Sequence, residues 1–259
     1  MRIPWMAVAV ALFAVAGARA AIVTRTVEYS QGGTTLEGKV VYDDATAARR
    51  PGVLVVHQWM GPTDYELRRA GQLAGLGYVA FVADIYGKGV RPADPKQADE
   101  TAGKFRADRA LLRARAAAGL AALKAQPRVD DARVAAIGYC FGGGTVLELA
   151  RSGAALSGVV SFHGTLDTPN PADAKAIRAR VLVLHGAADP YVNADQVAAF
   201  RKEMDGAGVR YELVAYPGAV HGFTMKEAGD DPSKGMAYDA KADADSWKRM
   251  KEFFAAIFK

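Results

Sequence analysis

One cysteine in 259 residues excludes an intramolecular disulfide, so packing alone has to hold the fold together. Beyond residue 20 no run approaches eighteen apolar residues, the least that a membrane-crossing helix needs. The four histidines show no H-x-x-H or H-E-x-x-H spacing, and no cysteine pair accompanies them, so no metal site is expected. Strong charge of either sign is also missing. The 33 Lys and Arg against 28 Asp and Glu give a formal net charge of +5, too mild to imply nucleic acid. Nor is there an internal repeat or a low-complexity linker to mark a second domain.

What is present begins with a leader-like segment. Arg2 supplies a positive start, Trp5 to Gly17 is a short apolar stretch, and Ala18-Arg19-Ala20 reads as a cleavage site ahead of Ala21. Residues 1–20 are therefore expected to be a cleaved signal peptide. The protein is expected to be exported, periplasmic or secreted, with 21–259 as a single domain. Without the leader the net charge is +3. The densest basic stretch, Lys104 to Arg128, has only Asp108 against it. There Arg106, Arg109 and Arg113 read as a solvated helix face, opposite an apolar stripe of Leu112, Ala116, Leu120 and Leu123.

Ile22 to Tyr29 and Thr35 to Tyr42 alternate as strands around Gln31-Gly32-Gly33-Thr34, a hairpin signal. Further on, short apolar runs alternate with helical patterns. The runs are Val53–Val56, Tyr78–Ala83, Arg133–Gly138, Gly158–Phe162, Val181–Leu184 and Arg210–Tyr216. The longest helical pattern covers about Pro95 to Ala125 without a break, and Asp239 to Phe258 closes the chain as a helix. Runs without polar alternation are strands buried on both faces, so the expected fold is α/β, a mostly parallel sheet with helices on each side. In such sheets ligands bind at the carboxyl ends of strands. His57, Cys140, His163, Asp189 and His221 all follow strand runs there.

Cys140 sits in Gly138-Tyr139-Cys140-Phe141-Gly142, between a strand run and a helical pattern. This is the layout of a nucleophile elbow, with a thiol in the reactive place. The following helix offers its positive end, which favours thiolate, and the turn frees the Phe141 amide as an oxyanion donor. A cysteine nucleophile needs a base and a group to orient it. Asp189 and His221 follow in the order nucleophile, acid, histidine. His185, beside Asp189, reads as a packing or hydrogen-bonding residue.

These segments together resemble the dienelactone hydrolase family of α/β-hydrolases. The likeness runs through VLVVHQWMG, GYVAFVADIYGKG, IGYCFGG, LHGAADP and YPGAVHGF, over most of the chain. It implies a sheet of about eight strands and a Cys140–His221–Asp189 triad, with the Trp59 and Phe141 amides as the oxyanion hole. It also implies hydrolysis of a small-molecule ester or lactone through a thioester, with no metal or organic cofactor. At three positions the chain departs from the family pattern. Gln58 stands where the family has a glutamate that contacts the thiol, and a glutamine cannot take its proton. Lys88 replaces an anion-binding arginine, and Met225 stands where another is expected. Lys88, with Arg91 nearby, is the remaining candidate for substrate binding, and the dienelactone itself is a poor fit. Trp59, Met60, Tyr86, Phe141, Phe223 and Met225 favour a modestly sized, partly apolar substrate. A binding protein without catalysis, or a thiol redox protein, are the competing readings on the same fold, although no second cysteine exists to resolve a sulfenic acid.

Overall fold

Apolar runs that are buried on both sides assemble here into one sheet. The computed structural model describes residues 21–259. The expected leader lies outside the described residues. The strands are β1 (Ile22–Gln31), β2 (Thr34–Asp43), β3 (Arg50–Val56), β4 (Val79–Ala83), β5 (Val129–Tyr139), β6 (Gly158–Phe162), β7 (Arg180–Gly186) and β8 (Tyr211–Tyr216). Their order across the sheet is β1-β2-β4-β3-β5-β6-β7-β8. The β1–β2 hairpin is antiparallel and joins β4 antiparallel, while every later pairing is parallel. The α/β fold expected from the sequence is the one observed.

Among the described residues six α-helices cover the sheet: α1 (Asp64–Gly75), α2 (Pro95–Ala107), α3 (Arg109–Lys124), α4 (Phe141–Arg151), α5 (Ala194–Gly206) and α6 (Ala240–Ile257). Successive strand residues point to opposite faces. Accordingly Leu54 and Val56 share a core with Leu112, Ala116, Val146 and Phe200 of α3, α4 and α5. Val53 and Val55 share the other with Leu73, Met250 and Phe254 of α1 and α6. Among the described residues, no helix is long and apolar enough to cross a membrane.

The unbroken helix expected over Pro95–Ala125 is two helices. Asp108 has φ −113° and ψ 84°, outside the helical region, and its carboxylate accepts from the Leu111 N–H as the cap of α3. The apolar stripe is buried as expected. The basic face opposite it is not simply solvated. Arg109 bonds Asp167, and Arg113 reaches both Glu148 of α4 and Asp173.

Helix α4 carries the elbow at its start and is anchored at its end. Arg151 is buried, with Nη1 2.9 Å from Glu148 and Nε 2.8 Å from Glu203 of α5. Its Nη2 donates to the Leu166 carbonyl at 3.1 Å. Removing the cation leaves Glu203 uncompensated and Glu148 with Arg113 alone, a loss on the scale of about 3–5 kcal/mol. Arg151→Met is therefore expected to lower the melting temperature by roughly 10 °C on the scale for a chain of this size. A melt unchanged within about 2 °C would show that the carboxylates shed their charge instead.

Candidate active site

The turn from β5 into α4 forces Cys140 to φ 54° and ψ −115°, a left-handed conformation that costs a side-chain-bearing residue about 1–3 kcal/mol. Its surroundings hold it there. The Cys140 N–H donates to the Phe162 carbonyl of β6 at 3.0 Å, and the Cys140 carbonyl accepts from the Gly143 N–H at 3.0 Å. Glycine at 138 and 142 is a steric requirement. A Cβ on Gly138 would run into the Gly142 carbonyl, and one on Gly142 into the Val56 carbonyl. The strained turn puts the sulfur at the positive end of an eleven-residue helix.

Asp189 follows β7 and His221 follows β8, each at a carboxyl end. The Asp189 Oδ2 lies 2.8 Å from His221 Nδ1, and its Oδ1 accepts the Tyr191 N–H at 2.8 Å. With Nδ1 taken, Nε2 is the nitrogen left for Cys140, the ring's second hydrogen-bonding partner. Burial works against charge on both groups, yet their mutual attraction wins. For the thiol, burial pushes up, but the His221 charge and hydrogen bond, the Phe141 N–H and the Arg106 charge together bring it below its ordinary value. For His221, burial pushes down, while the sulfur's charge and the Asp189 hydrogen bond raise it to about 10. Both shifts run in the direction that favours the charged pair over the neutral one.

Facing this pair is the segment after β3. Among the described residues, neither the Trp59 N–H nor the Phe141 N–H has an oxygen acceptor. The Trp59 carbonyl accepts from the Tyr86 hydroxyl at 2.8 Å, and the Gln58 N–H donates to the buried Glu66 carboxylate at 3.2 Å. Glu66 is the last residue of a Thr63-x-x-Glu66 capping box on α1.

The model of the dienelactone hydrolase family matches residues 37–258. The chain belongs to the dienelactone hydrolase family. A crystal structure of a dienelactone hydrolase-like promiscuous phosphotriesterase from metagenomic libraries is 41% identical, with a TM-score of 0.88 over 92% of this chain and all of that one. A "probable 2-oxo-3-(5-oxofuran-2-ylidene)propanoate lactonase" of a Bradyrhizobium species is 30% identical over 204 residues, 74% of this chain and 81% of that one. "Uncharacterized protein K02A2.1" of Caenorhabditis elegans is 35% identical over 149 residues, 57% of this chain and 94% of that one. As a family member the chain is a hydrolase acting on carboxylic ester bonds.

Other residues singled out in the sequence sit differently from one another. Gln58 is buried beside the site, but among the described residues its side chain makes no hydrogen bond, to the sulfur or elsewhere; it contributes its main chain. Lys88 is turned to Glu28 of β1, which raises its ammonium above the ordinary lysine range. Arg91 packs over Gly61 and donates to the Gly87 and Val90 carbonyls. The cation that does reach the sulfur electrostatically is Arg106, read from the sequence only as part of a helix face. His163, at φ 39°, is buried edge-on to His221 at 5.2 Å and bonds Thr224 Oγ1 through Nε2 at 2.8 Å. His185 is buried, with no hydrogen-bond partner for Nδ1 among the described residues. The 226–238 segment is strapped to the histidine loop. Met236 bridges His221, and the Ala237 N–H donates to the His221 carbonyl at 3.1 Å.

The pairing has a sign that alkylation can read, because only thiolate reacts. Iodoacetamide is expected to modify Cys140 with a midpoint below the ordinary thiol value of about 8.5. In His221→Ala burial acts without its counterweight, so the midpoint moves above that value and the rate at pH 7 falls at least about tenfold. Identical profiles in the two proteins would remove His221 as the source of the shift.

Proposed function

We propose that the protein cleaves a small carboxylic ester or lactone through a Cys140–His221–Asp189 triad and a thioester acyl-enzyme. The observation that carries this reading is the Asp189–His221 bond, with the second ring nitrogen left for a thiol whose proton it already favours taking. The Cys140 thiolate attacks the carbonyl carbon, and the displaced electron pair sits on the carbonyl oxygen. The Trp59 N–H and the Phe141 N–H, neither of them bonded to a protein oxygen among the described residues, hold that oxyanion. Collapse breaks the bond to the leaving oxygen, which takes the Nε2 proton of His221. A water then gives its proton back to the neutral ring as it attacks the thioester. The second tetrahedral species expels the thiolate, and the imidazolium is restored. Asp189 keeps Nδ1 protonated throughout and aims the ring.

The substrate side is partly apolar. Tyr191 is 59% exposed and stands edge-on to His221 at 5.3 Å, and Met225 and Met236 flank Gly222. Arg106, only loosely paired with Asp99 at 3.4 Å, adds a positive field at the sulfur. Together these favour a compact acyl group with some negative charge or strong carbonyl polarisation. The leader-like residues 1–20 support export, with 21–259 as the working domain.

A panel of short-chain aryl esters and small lactones tests the chemistry, with a phosphotriester added because a 41%-identical relative bears that activity in its name. Wild-type turnover is expected on the esters, with Cys140→Ala and His221→Ala each lowering kcat by about a thousandfold or more. No ester turnover by the wild type, or turnover surviving in both variants, would overturn the reading. For export, the N-terminal sequence of the protein recovered outside the cytoplasm is expected to begin at Ala21; a product retaining Met1 would overturn cleavage.

A further inference from the structure

We propose that His57 is a positioning residue for the oxyanion hole, fixing the peptide plane that presents the Trp59 N–H. The inference rests on the hydrolase reading above and concerns how one of its two donors is aimed. His57 is fully buried at the end of β3, and both ring nitrogens are occupied. The Ile85 N–H, just beyond β4, donates to Nε2 at 3.2 Å. Nε2 must therefore carry the lone pair, which puts the proton of the neutral ring on Nδ1. Burial, the largest influence, lowers the ring to about 4, so it stays neutral at ordinary pH.

The protonated Nδ1 lies 2.6 Å from the Gln58 carbonyl oxygen, which also accepts the Gly61 N–H at 3.2 Å. That carbonyl belongs to the same planar unit as the Trp59 N–H. No peptide bond in the described residues is cis, so the two groups point in opposite directions. Clamping the oxygen on one side therefore aims the N–H to the other, where it has no acceptor of its own. The neighbouring groups stop the unit from sliding: Glu66 holds the Gln58 N–H and Tyr86 the Trp59 carbonyl.

The same ring also touches the second donor residue. It stacks on the Phe141 ring at 5.8 Å and meets Tyr86 edge-on at 4.7 Å. One buried imidazole thus spans the loop after β3, the loop after β4 and the first residue of α4. Neither ring nitrogen is free to exchange a proton with substrate, so the role is geometric.

Two variants separate the hydrogen bond from the packing. His57→Phe keeps an aromatic ring but has no donor, whereas His57→Asn places an amide N–H near the Nδ1 position. With an aryl ester, His57→Phe is expected to lose about 10- to 100-fold in kcat with KM within about twofold, less than the loss from deleting an oxyanion donor outright. His57→Asn is expected to recover most of that loss. Affinity for a trifluoromethyl ketone, which forms the tetrahedral oxyanion, should weaken in step with kcat. Iodoacetamide alkylation, which forms no oxyanion, should keep its wild-type rate and pH profile. Wild-type kcat in His57→Phe, equal losses in alkylation and kcat, or an Asn variant no better than Phe would each overturn the proposal. Should His57→Phe fail to fold, nitrogen NMR of the wild-type imidazoles decides the matter: a proton on Nδ1 is expected, and one on Nε2 overturns it. An inactive wild type would sink the hydrolase reading, whereas an active one with His57 protonated at Nε2 would sink the positioning role alone.

Discussion

The site depends on a lack of space between three backbones. Gly138, Gly142 and the Val56 carbonyl approach so closely that no side chain fits between them, and Cys140 is left with a left-handed backbone as the only way round. The strain is local and is offset by the sheet on both sides, through β3 and β6. From that one constraint follow the placement of the sulfur above the strand ends, its position at the start of α4 and the release of the Phe141 amide. Had the helix been one residue further out, the thiol would have been an ordinary buried cysteine with its ionisation pushed up by desolvation.

Around that point the protein arranges charge in depth. His221 is held by Asp189 on one side and by the sulfur on the other, and neutral His163 lies against its ring. Behind His163, Thr224 and Tyr65 pass hydrogen bonding on to Arg69, which is 2.5 Å from Asp243 of α6. Arg151 does a similar task on the other face, tying α4 to α5. Arg69 and Arg151 each have carboxylate partners, which is the condition for such buried ions to be tolerated at all.

Much of this was legible in the chain, and the reasons are physical. Val53–Val56 and Gly158–Phe162 have no polar alternation because both of their faces are covered, so sequence alone reads them as central strands. The elbow announces itself because only glycine fits two residues either side of the nucleophile. The capping box at Thr63 and Glu66 came from the structure, as did the reach of its carboxylate to the Gln58 N–H. The break at Asp108 was hidden because the apolar period of α3 runs on smoothly from α2, and a single capping carboxylate resets the backbone. The partners of Lys88, Arg109 and Arg113 were hidden for another reason. They lie 35 to 60 residues away along the chain, where charge finds charge through the fold rather than through local pattern.

Asp189 holds two things at once, the His221 ring through one oxygen and the Tyr191 N–H through the other. Tyr191 is the most exposed large side chain on that rim, so the wall that meets a substrate and the part that moves protons share a single carboxylate. Evolution or engineering that widens the rim at Pro190 or Tyr191 therefore tugs on the proton-transfer geometry as well. The rim formed by Trp59 and Met60 carries no such tie to Asp189. Adaptation to bulkier substrates is cheapest there, and the two rims are unequal in how freely they can drift.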